Sequence, residues 1–311
     1  MTRDTQNSNR LLASPAPDPR RHAYREDLAA QSLEGQVEAA HFAPGVVRQI
    51  ARPAVPMRRK PEFAASLDTE LLFGETVTLY DVAEGWAWVQ AQRDGYVGYI
   101  PSDVLTSDVL PPTHRVQASG TFVYPVPDMK APPLMHLSLN SQLHINETGD
   151  KFCRLASGGF VVTRHISSND RFARDFVEVA EQLIGTPYLW GGRTRIGLDC
   201  SGLVQLSLQA AGVAAPRDSD MQQSEVGEPL PITDDLEGLQ RGDLIFWKGH
   251  VGMMTDGIML LHANAHHMAV VMETLPEAVD RIRRSGSEIA AIKRIAKASA
   301  QKLAQSASGK V

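Results

Sequence analysis

Of the two cysteines in this 311-residue chain, one sits where a thiol can do chemistry. Cys200 lies in Leu198-Asp199-Cys200-Ser201-Gly202-Leu203, and a helical pattern follows at once. Leu203, Leu206 and Ala210 share one stripe, with Val204, Leu208 and Ala211 beside it, which predicts a buried helix from about Cys200 to Gly212. A thiol in the first turn of a helix feels the positive end of the macrodipole, which favours thiolate. The alternative is a packed, inert cysteine. Two histidines supply the other half of the chemistry. His250 opens the run Val251-Gly252-Met253-Met254, and His262 ends the run Ile258-Met259-Leu260-Leu261. Joined by a hairpin at Asp256-Gly257, these strands bring both imidazoles to one edge, where one takes the thiol proton and the other orients it. Upstream, the turn-rich segment Gly185–Gly192 carries Tyr188 and Trp190, aromatics suited to wall a pocket. His266 and His267 are consecutive and lack a clustered carboxylate or thiolate, so no metal site is expected. No phosphate-binding loop occurs and Gly191-Gly192 is far from a dinucleotide fingerprint, so no cofactor is expected.

The elements that position these groups fall into blocks. Phe172, Phe176, Val179 and Leu183 predict a helix with Ser168 or Asn169 as cap and Gly185 as stop. Arg217–Gln223 reads as a loop opening a short helix. Strands are expected at 243–247, 250–255, 258–263 and 269–273, then a helix over 276–284 and a strand over 289–295. Helices first and an antiparallel sheet afterwards is an α+β order. Before this, residues 46–110 carry short-strand signals, with Val77/Leu79 and Trp86/Trp88 alternating among Gly85, Gly95 and Gly98. Residues 111–166 repeat the layout more weakly, through Leu137/Leu139, Leu143/Ile145, Phe152 and Phe160-Val161-Val162, as in a duplicated small β-barrel. Cys153 falls on a strand of that copy and reads as structural. Residues 1–45 form an N-terminal extension, its second half packed as a strap, and 297–311 an Ala/Ser/Lys tail.

A net charge of −5 gives no electrostatic reason to expect a nucleic acid or an anionic membrane as partner. Nothing resembles a secretory leader and no run approaches the ~20 apolar residues of a membrane span. A cytoplasmic location with reduced thiols is therefore expected.

Asp199-Cys200-Ser201-Gly202-Leu203, with Pro187-Tyr188-Leu189-Trp190-Gly191-Gly192 before it and Arg241-Gly242-Asp243-Leu244-Ile245-Phe246, Gly249-His250-Val251-Gly252 and His262-Ala263 after it, resembles the NlpC/P60 family of cell-wall cysteine peptidases. The β-rich part resembles two bacterial SH3 domains. The resemblance implies a papain-like α+β catalytic domain over 167–296, preceded by SH3-like barrels at 46–110 and 111–166. It also implies Cys200 as nucleophile, His250 as base and His262 as third member. The arrangement is further similar to γ-D-glutamyl-L-diamino acid endopeptidases of murein peptide recycling, which require a free N-terminal L-alanine. That likeness implies murein-derived peptides as partners. It assigns Asp199, Glu75 and Tyr96 to the substrate ammonium, Ser201 and Ser219 to the D-glutamyl carboxylate, and Tyr188 and Trp190 to the pocket wall. The competing readings are a hydrolase of intact peptidoglycan with wall-binding SH3 modules and a non-catalytic binding protein.

Overall fold

The computed structural model describes residues 16–233 and 235–296; the expected C-terminal tail and the first fifteen residues lie outside them. Within the described residues an antiparallel sheet of six strands carries the histidines. Its spatial order is Glu228–Leu230, Ile289–Arg294, Leu244–Trp247, His250–Met254, Met259–Asn264 and Ala269–Thr274. The two histidine strands, fourth and fifth in that order, follow each other through the expected tight turn, with Met253 opposite Leu261 and Met254 opposite Leu260.

Side chains alternate across this sheet, so its two faces bury different partners. Val251, Met253, Leu261 and Ala263 pack against helix α2 (Cys200–Ala210). Trp247, Met254 and Leu260 pack instead with Leu275, Ala278 and Val279 of α4 (Leu275–Arg284). Every residue of α2 is buried, including Gln205 and Ser207. Their polar groups find partners in the Asp94 carboxylate and the Leu203 carbonyl.

Helix α1 (Phe176–Glu181) is shorter than the periodicity predicts and is capped by Asp175, not by Ser168 or Asn169. Phe172 leaves the helical pattern because its ring lies under the Arg115 guanidinium, 4.7 Å from the ring centroid. Ser168 pairs with His114 as strand, and Asn169 donates to the Pro112 carbonyl. Helix α3 spans Ser219–Glu225.

The first β unit is a seven-stranded sheet, ordered Leu67–Leu72, Ala54–Arg58, Val97–Pro101, Trp86–Ala91, Thr76–Ala83, Val46–Ile50 and Leu105–Thr106. Its core uses the small partners of the tryptophan strand, Ala87, Val89 and Ala91. Trp86 and Trp88 face the other way, the first against Phe63 and the second under Arg25. Trp88 is covered by the strap, through Ala23, Ala30 and Leu33. The strap also holds a short parallel pair, Leu28–Ala30 with His41–Ala43. A second β unit packs Val116, Val123, Leu137, Leu155 and Val161 around Cys153, which is buried as its structural reading requires.

The first β unit meets the Gly191 turn through its edge strand. Gly191 has φ +77°, and a Cβ there would meet the Leu67 carbonyl at 2.8 Å, so only glycine permits this approach. No helix of the described residues is long and apolar enough to cross a membrane.

Candidate active site

Cys200 is the first residue of α2 because Asp199 caps it. Asp199 is extended, and its Oδ1 accepts the Gly202 N–H at 2.7 Å. Gly202 lies so close to the preceding hairpin that a Cβ would meet the Gly192 carbonyl at 2.3 Å. The thiol is 7% exposed and packs beside Val251, the neighbour of His250.

The expectation that the helix start favours thiolate is corrected by the structure. Burial pushes the Cys200 thiol up to about 12, and the adjacent Asp199 carboxylate adds to the rise. Hydrogen bonds from the Val251 and Ser201 backbones and the Arg217 charge oppose it without prevailing. His250 moves the opposite way. Burial first, then the neighbouring His262 and Arg281, lower its imidazole to about 3. Burial thus favours the neutral form of both groups.

His250 Nε2 lies 2.9 Å from His262 Nδ1, so the hairpin joins the two rings as the spacing predicts. The contact continues beyond them. His262 Nε2 lies 2.6 Å from Glu273 Oε1, and Arg281 of α4 grips Glu273 with both terminal nitrogens, at 2.5 and 2.6 Å. Asn264 Nδ2 is also 2.9 Å from His262 Nε2. Neither Glu273 nor Arg281 was legible as a site residue. The register places His262 opposite Val271, and Glu273 two residues on shares that face.

Asp199 and Ser201 stand beside Cys200, but with a partner that sequence reasoning missed. Arg217, 1% exposed, donates to Asp199 Oδ1 at 3.0 Å and Oδ2 at 2.7 Å, and to Ser201 Oγ at 2.8 Å. Asp199 Oδ2 also accepts the Gly191 N–H at 2.8 Å. The carboxylate assigned to a substrate ammonium is thus a helix cap and half of a buried bidentate ion pair. Arg217 reaches the first β unit too, through Thr69 Oγ1 at 2.9 Å.

Glu75 is likewise committed. It is buried, accepts the Leu72 N–H at 2.9 Å and pairs with Arg193 at 3.2 Å and Arg93 at 3.1 Å. The structure does not bring it to the Cys200 cluster. A different carboxylate of the same β unit, Glu70, is buried and has no ion pair among the described residues. Burial raises its pKa, and the Arg193 backbone N–H at 2.8 Å only partly offsets this. Tyr96 reaches across to the cap of α3, with its hydroxyl 3.1 Å from Asp218 Oδ2. Asp218 also takes Arg20 of the strap at 2.9 Å. Ser219 occupies the first helical position of α3, because Asp218 holds the cap position. Tyr188 is half-buried; burial and the nearby Cys200 and Asp199 raise its phenol, keeping it protonated. Trp190 is 64% exposed, a rim residue and not an enclosed wall. A cavity of ≈ 850 Å³ lies elsewhere, between the second β unit and α1, lined by Arg115, Arg171 and Glu178. Among the described residues no group of three or more metal-ligating side chains occurs.

Residues 185–283 match the model of the NlpC/P60 family, and residues 57–105 match that of the bacterial dipeptidyl-peptidase SH3 domain. Dipeptidyl-peptidase 6 of Lysinibacillus sphaericus is 27% identical over 243 residues, covering 70% of this chain and 88% of the relative. The γ-D-glutamyl-L-lysine dipeptidyl-peptidase of Bacillus subtilis (strain 168) is 27% identical over 241 residues, covering 68% and 77%. A crystal structure of an NlpC/P60 family protein from Bacillus cereus ATCC 10987 superposes with a TM-score of 0.67 at 21% identity, over 80% of this chain and 99% of that one, and so shares the fold.

Proposed function

We propose that this chain, which carries an NlpC/P60 domain behind a bacterial dipeptidyl-peptidase-type SH3 domain, is a cysteine peptidase of short murein peptides. The observation that carries the reading is the Cys200 helix start beside the strand of His250, with His250 linked to His262. The thiol attacks the γ-carbonyl of a D-glutamyl residue as His250 takes its proton, because burial favours the neutral form of both groups over a preformed thiolate. The new C–S bond gives a tetrahedral oxyanion. The Cys200 backbone N–H, at the first helical position, is available to it, and the protonated Tyr188 phenol lies close by. His250 then returns the proton to the departing amine of the diamino acid as the C–N bond breaks. Water hydrolyses the thioester and regenerates the thiol.

The finer specificity, for peptides with a free N-terminal L-alanine, is supported by relatives named as dipeptidyl-peptidases that align across the SH3 region. It is also supported by the way the first β unit closes on the site. Thr69 holds Arg217, and Tyr96 holds Asp218. With Asp199 and Glu75 already paired, Glu70 is the carboxylate we assign to the substrate ammonium, since a buried carboxylate without a direct ion pair among the described residues favours a cation. The two unpaired thiols suit a reducing compartment, and we place the reaction in cytoplasmic peptide recycling.

The test is turnover of L-Ala-γ-D-Glu-diaminopimelate against its N-acetylated form. Hydrolysis of the free-amine peptide alone, abolished by Cys200→Ala, is expected. Equal turnover of both forms removes the amine requirement, and release of peptides from intact sacculi favours a wall hydrolase. Activity in Cys200→Ala removes the thiol mechanism.

A further inference from the structure

We propose that Glu273, clamped by Arg281, is a positioning residue that sets the tautomers of both histidines and so leaves His250 with a lone pair for the Cys200 thiol. This rests on the reading of Cys200 and His250 as nucleophile and base.

Glu273 has both oxygens in contact with cations or donors: Oε1 with His262 and Arg281, Oε2 with Arg281. Burial would raise its carboxyl, but the His262 and Arg281 hydrogen bonds outweigh it and hold the group ionised. An ionised carboxylate only accepts, so His262 must carry its proton on Nε2. Asn264 Nδ2 at 2.9 Å is a donor and demands the opposite. The carboxylate is closer, at 2.6 Å, and charge-assisted, so it prevails. Neutral His262 then has an unprotonated Nδ1, which must accept from His250 Nε2 at 2.9 Å. With Nε2 protonated, neutral His250 keeps its lone pair on Nδ1. That is the state a general base needs, and the reverse tautomer would present an N–H to the thiol.

The same chain acts after proton transfer. Imidazolium at His250 donates to His262, whose Nε2–H donates to Glu273, so the new charge meets a carboxylate two hydrogen bonds away. The groups facing His262 are His250 from its neighbouring strand, Glu273 from the strand on its other side, Arg281 from α4, and Asn264 and His267 from its own strand end. Leu260, Met254 and the α4 residues share this face of the sheet, whereas the thiol helix packs on the other. The side-chain hydrogen bonds of Glu273 among the described residues go to His262 and Arg281, so it acts on His250 through His262.

The experiment compares wild type, Glu273→Gln and Glu273→Ala in the full chain, with Arg281→Met as a second route to the same carboxylate. The primary readout is ¹⁵N NMR of the two imidazoles, which separates pyrrole-type from pyridine-type nitrogens. The expected wild-type pattern is a pyrrole-type Nε2 on both rings, lost or mixed in Glu273→Ala. The kinetic readout is kcat, expected to fall on the order of 10- to 100-fold with KM changed less than twofold, a part of what general-base catalysis supplies. Glu273→Gln keeps an acceptor oxygen and is expected to retain more kcat than Glu273→Ala. A pyrrole-type Nδ1 on His262 in wild type, or Glu273→Ala with unchanged spectra and kcat, overturns the proposal. Activity in Cys200→Ala would instead sink the thiol reading, and the NMR result stands apart from it.

Discussion

Arg217 closes both oxygens of Asp199, the residue immediately before the candidate nucleophile, with neither side chain more than 9% exposed. The pair ties the start of α2 to the loop before α3. Through Thr69 it also ties both to the first β unit. An arginine placed here offsets a carboxylate that would otherwise disfavour charge on the sulfur.

Removing that arginine strands a buried carboxylate. Arg217→Met should lower stability by about 3–5 kcal/mol, the usual cost of breaking a buried pair from one side. Asp199→Asn strands the buried Arg217 charge and should cost a comparable amount, less only what the amide retains as helix cap. Chemical denaturation of both variants checks the order.

The thiol should titrate late. With Cys200 pushed up to about 12 and His250 down to about 3, the free enzyme holds almost no thiolate near neutrality. Iodoacetamide inactivation should speed up about tenfold per pH unit through pH 9. A plateau between pH 6 and 7 would show a preformed ion pair instead.

Acid should destabilise the fold through His250. Its folded pKa lies below the unfolded value of about 6.5, so the unfolded chain binds the extra proton. The stabilising contribution is complete above pH 6.5 and is lost as pH falls towards 3. Glu273, held down to about 2, adds a loss that begins below about pH 4.5. Thermal melts against pH should show a shallower acid limb in His250→Gln.

Glu70 and Glu75 should fail in different ways. Glu75→Gln leaves Arg193 buried and uncompensated, so the melting temperature should fall while the preference for a free amine persists. Glu70→Gln removes a carboxylate without an ion pair among the described residues. Stability should hold or rise slightly, and KM for the free-amine peptide should rise about tenfold or more. Melts and steady-state kinetics on both variants, with the N-acetyl peptide as control, separate the two roles.

Tyr96→Phe removes one hydrogen bond across the boundary between the β unit and α3. A loss of about 0.5–1.5 kcal/mol is expected, with KM affected more than kcat. A denaturation curve and initial rates check both.

The amino-acid sequence determined the features governed by short-range physics. α2 with its apolar stripes, the run of strands and the turn at Asp256-Gly257 follow from periodicity and local turn chemistry. That was enough to join His250 to His262. Phe172 and the cap of α1 escaped the same reasoning, because Arg115 lies 57 positions upstream of Phe172 and competes for its ring. Tertiary structure alone decided the charges. Whether Asp199 or Glu75 offers a free carboxylate depends on Arg217 and Arg193, and the latter lies 118 positions from its partner. Whether Cys200 rests as thiol or thiolate depends on water being excluded around it, and the His262 tautomer depends on a carboxylate one strand away. Desolvation and long-range pairing belong to packed space, and residue type and spacing do not encode them.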